Sequence, residues 1–207
     1  MIDHLVLATP NLAATTSAVS GAWGIQLTPG GSHIGLGTRN ELAGLGGATY
    51  LEVVGPDDTQ PEHSGPRPFG IDDLETQRLV AWCARPQRRL GDVIAAVAAF
   101  GIDMGGIVEM ARRRPDDIVL RWQLTLPMLD GPHRGTLPFL IDWLDSPHPT
   151  SSLAHRATLL ALHITHPQAD LVRAVLAEIG AAPHIEVVSG KESLSAVVRT
   201  PQGDVAL

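Results

Sequence analysis

Three segments of the chain repeat the same order of apolar and polar positions. Each segment starts with a short apolar run that ends at a proline, continues with apolar residues at helical spacing, and stops at a glycine. Proline suits the start of a helix, where its missing N–H is not needed, and glycine suits the residue just past a helix end. The prolines are Pro10, Pro86 and Pro167, and the glycines are Gly24, Gly101 and Gly180. The repetition predicts three strand–helix pairs.

Strand-like residues follow each predicted helix. The clearest case is 118–126, where apolar residues at 120, 122, 124 and 126 alternate with polar ones, as in a half-buried strand. In the first segment we predict strands at 25–29 and 49–54, with a glycine-rich stretch between them that runs into Glu41 and Leu42. The other predicted strands are 107–110, 139–143, 185–188, 194–199 and 205–207. The sequence therefore predicts an α+β fold of three β-α-β-β-β units.

The units group into two regions. We expect units 1–58 and 76–146 to form one region, 1–150, in which two curled sheets enclose a cleft. The third unit, 157–207, is expected to pack on that region or to form a subunit interface, and a homodimer is the assembly we predict. The connecting segments 55–78 and 144–158 are rich in proline, glycine, serine and histidine, so we expect surface loops there.

Composition narrows the classes of function. With 44% hydrophobic and 18% charged residues, the chain is typical of a folded soluble protein. A net charge of −7 argues against a nucleic-acid surface, and the only basic run, 112–114, is followed by Asp116 and Asp117, which we interpret as a charged turn. No apolar run approaches membrane-spanning length. The single cysteine, Cys83, cannot form an internal disulfide, so we expect a cytoplasmic protein.

The glycine-rich stretch 30–40 carries three candidate functional side chains. Its glycines leave little bulk around His33, Arg39 and Asn40, and glycine allows close approach of the backbone to a ligand. The alternative is a long turn between two strands, in which His33 caps its own turn, Arg39 forms a surface ion pair and Asn40 organises the backbone. Arg39 suits an anionic group because its planar fork pairs with carboxylates.

Strand alternation brings two further candidates together. In 3–10 and 49–54, His4 and Glu52 fall on the face opposite the aliphatic residues that a covering helix would contact, and Tyr50 shares the face of Glu52. An imidazole and a carboxylate on one sheet face form a divalent metal site or an acid–base pair. The alternative is that His4 hydrogen-bonds a neighbour and Glu52 points into water.

Four motifs in this order resemble a known family. They are IDHLVLATPNL at 2–12, GGSHIGLGTRN at 30–40, TYLEVVGPD at 49–57 and GTLPFLIDW at 135–143, the last followed by His148-Pro149. Together they resemble the glyoxalase-like domain branch of the vicinal-oxygen-chelate superfamily, which includes glyoxalase I, extradiol dioxygenases and the bleomycin- and fosfomycin-resistance proteins. The resemblance covers about the first 150 residues.

The resemblance implies a metal centre and a class of reaction. Superfamily enzymes hold a divalent metal with a histidine or glutamine on a unit's first strand and a glutamate on its last, so His4 and Glu52 match a metal-binding pair. Val80 and Ile141 stand at the matching positions of the second unit, so only half of a four-ligand site is visible, and His33 is the candidate third ligand. The ligand is expected to be a small, polar, oxygen-rich and anionic molecule.

Two functions follow from the resemblance. The first is a metal-dependent lyase, isomerase or dioxygenase, with Glu52 and His33 catalytic and Arg39, Asn40 and Tyr50 binding substrate. The second is a non-catalytic protein that sequesters a small molecule, as the resistance proteins do.

Overall fold

The three predicted units are present in the computed structural model, which describes residues 1–114, 116–127, 130–131, 133–181 and 184–207. The first unit is β1 (Ile2–Ala8), α1 (Leu12–Trp23), β2 (Thr28–His33), β3 (Thr38–Gly44) and β4 (Tyr50–Pro56). The second is β5 (Arg78–Ala84), α2 (Leu90–Ala98), β6 (Ile107–Arg113), β7 (Val119–Thr125) and β8 (Phe139–Asp142). The third is β9 (Thr158–His166), α3 (Ala169–Ile179), β10 (Ile185–Ser189), β11 (Ser193–Thr200) and β12 (Gly203–Ala206). Short 3₁₀ helices at Pro68–Asp73 and Pro149–Ser151 lie in the connecting segments. The α+β prediction is confirmed.

The first two units share one sheet. Their eight strands close on themselves in the order β1-β4-β3-β2-β6-β7-β8-β5, and the third unit forms a separate four-stranded sheet, β10-β9-β11-β12. In the closed sheet β1 pairs with β4 in parallel, with His4 opposite Tyr50 and Val6 opposite Glu52. These registers place the first strand of the first unit beside its last strand.

The two faces of the closed sheet carry separate apolar clusters. Leu5, Leu7, Leu51 and Val53 belong to the outer cluster, together with Trp23 of α1. The inner cluster contains residues of alternate parity, including Val6, Ala8, Tyr50, Val54 and Trp122. Strand alternation therefore assigned the helix-covered face of β1 and β4 correctly.

The third unit packs on the outside of the closed sheet. Leu162, Ile164, Val172 and Val198 belong to the same outer cluster that α1 and α2 contact. The backbone N–H of Leu159 also donates to the carbonyl of Leu45, at 2.9 Å. The third unit and the helices thus bury their apolar side chains in one common core. Each described helix is too short or too polar to cross a membrane.

The helix boundaries differ in detail from the proline and glycine signals. Pro10 precedes the helix, and Asn11 caps it by accepting a hydrogen bond from the N–H of Ala14 at 3.0 Å. Gly24 and Gly180 adopt left-handed backbone angles directly after α1 and α3. In contrast, α2 is capped by Ala99, and Gly101 lies two residues beyond the cap.

The glycine-rich stretch is mainly strand: β2 begins three residues later than the predicted strand at 25–29 and extends to His33, so the long turn considered for 30–40 was wrong. Gly30 and Gly31 lie in β2, which pairs with β3 and, at its end, with β6. Gly31 has φ 122°, and a Cβ there would lie 1.9 Å from the carbonyl oxygen of Arg113. Glycine is needed because β2 approaches β6 closely where the sheet closes. Similarly, Arg112 and Arg113 belong to β6 and not to a charged turn.

Candidate functional site

A cavity of about 310 Å³ lies inside the closed sheet. Its polar lining is His4, His33, Asn40, Tyr50, Glu52, Glu109 and Arg112. The apolar lining includes Phe69, Met110, Trp122, Leu124, Phe139 and Trp143. A larger groove of about 1090 Å³ runs between α1 and the third unit, but its described lining contains none of the candidate residues. The inner cavity is therefore the candidate site.

His4 is held in place by its neighbour in the chain. Its Nδ1 lies 2.8 Å from Oδ1 of Asp3. Burial alone would raise the pKa of Asp3, but hydrogen bonds from His148 and His4 outweigh it and hold that pKa well below its usual range. Because an ionised carboxylate only accepts, Nδ1 of His4 carries the hydrogen of this contact, and in the neutral ring Nε2 has a lone pair that faces away from Asp3. This arrangement is typical of metal-binding histidines.

Glu52 is a buried carboxylate between two imidazoles. Its Oε2 lies 3.7 Å from Nε2 of His4, and its Oε1 lies 3.4 Å from Nε2 of His33. Burial alone would raise the pKa of Glu52, but the imidazoles of His33 and His4 and a hydrogen bond from Asn40 outweigh it and hold the pKa at about 2. Glu52 is therefore ionised at neutral pH.

Asn40 connects the carboxylate to an arginine. Its Nδ2 donates to Oε1 of Glu52 at 2.5 Å, and its Oδ1 accepts from Nη1 of Arg112 at 3.3 Å. Because Arg112 only donates and ionised Glu52 only accepts, the orientation of the amide is fixed. The Asn40 Nδ2 atom also lies 3.2 Å from Nε2 of His33.

His33 fits an acid–base role by its contacts. Its Nδ1 lies 2.9 Å from Oγ1 of Thr38, across the β2–β3 turn, so it does contact its own turn, as the alternative interpretation held. When neutral, its Nε2 accepts from Asn40, and when protonated, the same atom faces the carboxylate of Glu52. Nε2 of His33 therefore has a partner in both protonation states, Asn40 when it is neutral and Glu52 when it is protonated. A proton can reside on this atom without leaving a buried polar group unpaired.

The other predicted substrate-binding residues fall in different places. Tyr50 lines the cavity and stacks on His4, with ring centroids 4.8 Å apart. Burial, and then the charges of Asp3 and Glu52, raise the pKa of the Tyr50 hydroxyl, so it stays protonated. Arg39 lies on the other face of β3 from Asn40, beside Glu41, and is not part of the described cavity lining. The structure therefore does not bring Arg39 to the site.

Arg112 is the site residue that sequence reasoning missed. Its side chain is only 3% exposed and lines the cavity with Val108 and Met110, which precede it on the same face of β6. Extending the predicted strand 107–110 by two residues would have placed Arg112 on that face by parity. The basic run suggested a turn and hid this signal.

The geometry of His4 and Glu52 fits a divalent metal. The separation of 3.7 Å between Nε2 and Oε2 exceeds a normal hydrogen bond of about 2.7–3.2 Å, and in the neutral ring with its hydrogen on Nδ1 the two atoms are both acceptors. Two atoms that each lie about 2.0–2.2 Å from one ion on adjacent positions are about 3–4 Å apart. A cation between these atoms would remove the repulsion.

A second group of potential metal ligands consists of His4 and two residues on the side of its ring that faces away from Glu52. Asp3, His4 and Cys83 place ligand atoms within 4.8 Å of one another. However, Asp3 already accepts from Trp143 at 3.1 Å and lies 3.0 Å from Nε2 of His148. Burial, and then the charges of Asp3 and Glu52, raise the pKa of the Cys83 thiol, which therefore keeps its proton. This group orients His4 and is less suited to hold an ion than the cavity side.

The second unit contributes no carboxylate or imidazole at the positions equivalent to the first. Ile141 is buried in the inner cluster, Val80 packs against that cluster, and Asp142 is exposed. Asp142, which follows Ile141 directly, lies on the opposite side of the strand, as strand alternation requires. The polar half of the cavity is built by the first unit and by Glu109 and Arg112 of β6.

Comparison with known proteins identifies the family. A family model described as "Glyoxalase-like domain" matches residues 2–180, so the chain belongs to that family, the branch of the vicinal-oxygen-chelate superfamily that its motifs resemble. No curated protein sequence matches the chain.

Solved structures share the fold at low sequence identity. A hypothetical protein from Staphylococcus aureus is similar with a TM-score of 0.62 and 15% identity, covering 99% of this chain and 83% of that one. Methylmalonyl-CoA epimerase from Mycobacterium tuberculosis matches with a TM-score of 0.45 and 17% identity, covering 73% of this chain and 91% of that one. The similarity to the Staphylococcus aureus protein, at 15% identity, shows a common fold.

Proposed function

We propose that the protein is a metal-dependent glyoxalase-like enzyme, a lyase or isomerase, that acts on a small oxygen-rich molecule in the inner cavity. One observation carries the proposal: the ionised Glu52 carboxylate lies between the Nε2 atoms of His4 and His33, at 3.7 and 3.4 Å, inside that cavity. His4 and Glu52 would hold the metal. When bound, the metal would act as a Lewis acid on a substrate oxygen.

The chain's own residues supply orientation and proton transfer. Asp3 fixes the ring of His4, and Asn40 fixes the carboxylate of Glu52. His33 would take a proton from the substrate at Nε2 and return it to a neighbouring atom, because that nitrogen has a partner in both protonation states. The aromatic lining excludes water from the reacting atoms.

The apolar character of most of the lining supports a second function. A cavity that is aromatic and largely preformed is also suited to hold a small molecule without changing it. A sequestering protein would need the cavity and its anion contacts, but not His33. A dioxygenase is a third outcome, because two histidines and a carboxylate that leave positions open are the ligands of non-heme iron oxygenases.

Solvent exchange distinguishes the enzyme from the binder. The metal-loaded protein would be incubated in D₂O with small 2-oxo acids and α-hydroxy ketones, and deuterium at the carbon beside the carbonyl would be followed by NMR. We expect exchange in the wild type, a loss of at least about 100-fold in His33→Asn, and no change in His163→Asn. His163 is a suitable control because it contacts Glu186 at 3.1 Å on the surface of the third unit.

Binding of a panel compound without exchange in the wild type would instead support sequestration. Consumption of O₂ by the iron-loaded protein would support the dioxygenase. The division into a site region, 1–150, and a supporting unit, 157–207, together with a cytoplasmic homodimer, remains part of the proposal.

A further inference from the structure

Arg112 is a buried cation that has no anionic partner among the residues that the structure describes. Its side chain is 3% exposed, and its described hydrogen bond goes to the neutral Oδ1 of Asn40 at 3.3 Å. Its Nε is buried and has no hydrogen-bond partner among the described residues. Burial lowers its pKa, which is a direct sign that the charge is poorly solvated. A buried charge in this state is unfavourable unless something else pairs with it.

Five other arginines of the chain, all less buried than Arg112, show the contrast because each has an anionic partner. Arg67, Arg85, Arg88, Arg114 and Arg173 each have a carboxylate oxygen within 4.0 Å in the described structure. Arg112 has none among the described residues, although it is more buried than any of these five. The nearest carboxylate that influences it, Glu52, is separated from it by the Asn40 amide.

The sequence keeps space for this guanidinium. Gly30 lies on β2 beside the Arg112–Asn40 pair, and a Cβ there would lie 2.9 Å from Nη1 of Arg112 and 2.1 Å from Oδ1 of Asn40. Glycine at this position is therefore required by the packing of the Arg112–Asn40 pair. The glycine-rich stretch serves the site by making room for an arginine on another strand.

The charges of the cavity favour a monoanion. Arg112 is the one arginine in the described lining, and Glu52 and Glu109 bring negative charge. In the metal-free protein a dianion such as a phosphate ester would exceed the positive charge that Arg112 provides, whereas a carboxylate matches its planar fork and its charge. The aromatic residues Trp122 and Phe139 would contact an apolar body.

We propose that Arg112 binds the carboxylate of the ligand, and that this ligand is a small monocarboxylate with an apolar or aromatic body. The inference deepens the proposed function, on which it rests for the identity of the site. Arg112 also lines a second cavity of about 300 Å³. The ligand belongs in the first cavity, because the aromatic residues that would contact its apolar body, Trp122 and Phe139, line that cavity and are not in the described lining of the second.

Matched probes of equal shape and different charge test this role. Isothermal titration calorimetry of the metal-free protein would compare benzoate with benzamide and phenylpyruvate with its amide, and the phenyl phosphate dianion would test the charge preference. We expect the wild type to bind each carboxylate at least about tenfold more tightly than its amide. In Arg112→Met the carboxylate affinity should fall to that of the amide, while the amide affinity stays unchanged and reports an intact cavity. Arg121→Met, on the exposed side of β7, should behave as the wild type.

A second variant tests the same role if Arg112→Met does not fold. Gly30→Ala keeps the arginine but displaces it together with the Asn40 amide that it contacts, and should reduce carboxylate affinity without changing amide affinity. No preference for any carboxylate over its amide in the wild type would overturn the proposal, as would tighter binding of phenyl phosphate than of benzoate. A preference that survives in Arg112→Met would do so as well.

His4→Ala separates this inference from the proposed function. If that variant loses metal and exchange activity but keeps the carboxylate preference, the Arg112 subsite stands on its own. If the wild type binds metal and catalyses exchange without a carboxylate preference, the function stands and the subsite fails.

Discussion

Asn40 and Glu52 lie on neighbouring antiparallel strands, and the Asn40 amide donates to Oε1 of Glu52 at 2.5 Å. The same amide accepts from Arg112, so one neutral group stands between the cation and the anion of the cavity. Because the amide is fixed from both sides, the carboxylate keeps one orientation toward His4 and His33. The site is thus ordered by hydrogen bonds before any ligand enters.

The low pKa of Glu52 predicts a specific pH dependence of stability. The folded pKa is about 2 and the reference value is 4.5, so the stabilisation is present above about pH 4.5 and is lost as pH falls toward 2. In metal-free protein, we expect the difference in unfolding free energy between the wild type and Glu52→Gln to shrink by roughly 2 kcal/mol from pH 6 to pH 3. Urea denaturation at four pH values measures it. A constant difference would show that Glu52 is not stabilised as an anion.

Two glycine substitutions should have opposite effects on stability. Gly31→Ala places a Cβ against the Arg113 carbonyl in a left-handed backbone conformation, so we expect a loss of more than about 2 kcal/mol. Gly21→Ala lies within α1, has no atom within 4 Å of the added Cβ, and should stabilise by about 0.5–1 kcal/mol. Thermal unfolding reports both, and a neutral Gly31→Ala would refute the close approach of β2 to β6.

Asp3 should tune the metal affinity of His4 without touching the metal. In Asp3→Asn the charged acceptor for Nδ1 of His4 is lost, so we expect metal affinity to fall by about 10–100-fold. Asp145→Asn, on an exposed turn, is the matched control. Competition with a coloured chelator gives the affinities. Equal affinities in the two variants would mean that Asp3 only supports the packing around Trp143 and His148.

Strand periodicity predicted much of the fold and part of the site. Parity alone placed His4 and Glu52 on one face of β1 and β4 and the aliphatic residues under α1, because the side-chain period of a strand is strict. It did not predict that β2 extends through the glycines, since Gly30 and Gly31 have no side chains whose alternation could mark a strand. The position of Arg39 could not be assigned while its strand was treated as a loop.

The polar partners of the site depend on contacts between distant segments. Arg112 contacts Asn40, 72 residues away in the chain, because β6 closes the sheet against β2, and local sequence patterns do not contain that pairing. His148 reaches Asp3 across 145 positions in the same way. Side chains whose roles come from such pairings need the three-dimensional structure to be found.

Metal stoichiometry tests the central claim most directly. Purified wild type, His4→Ala and His163→Ala would be loaded with Mn²⁺, Fe²⁺, Co²⁺, Ni²⁺ or Zn²⁺ in turn, dialysed and measured by elemental analysis. We predict about one ion per chain in the wild type and in His163→Ala for at least one of these metals, and nearly none in His4→Ala, because a preformed site binds only with its ligands in place. Full occupancy in His4→Ala, or no retained metal in the wild type, would contradict a metal centre at His4 and Glu52.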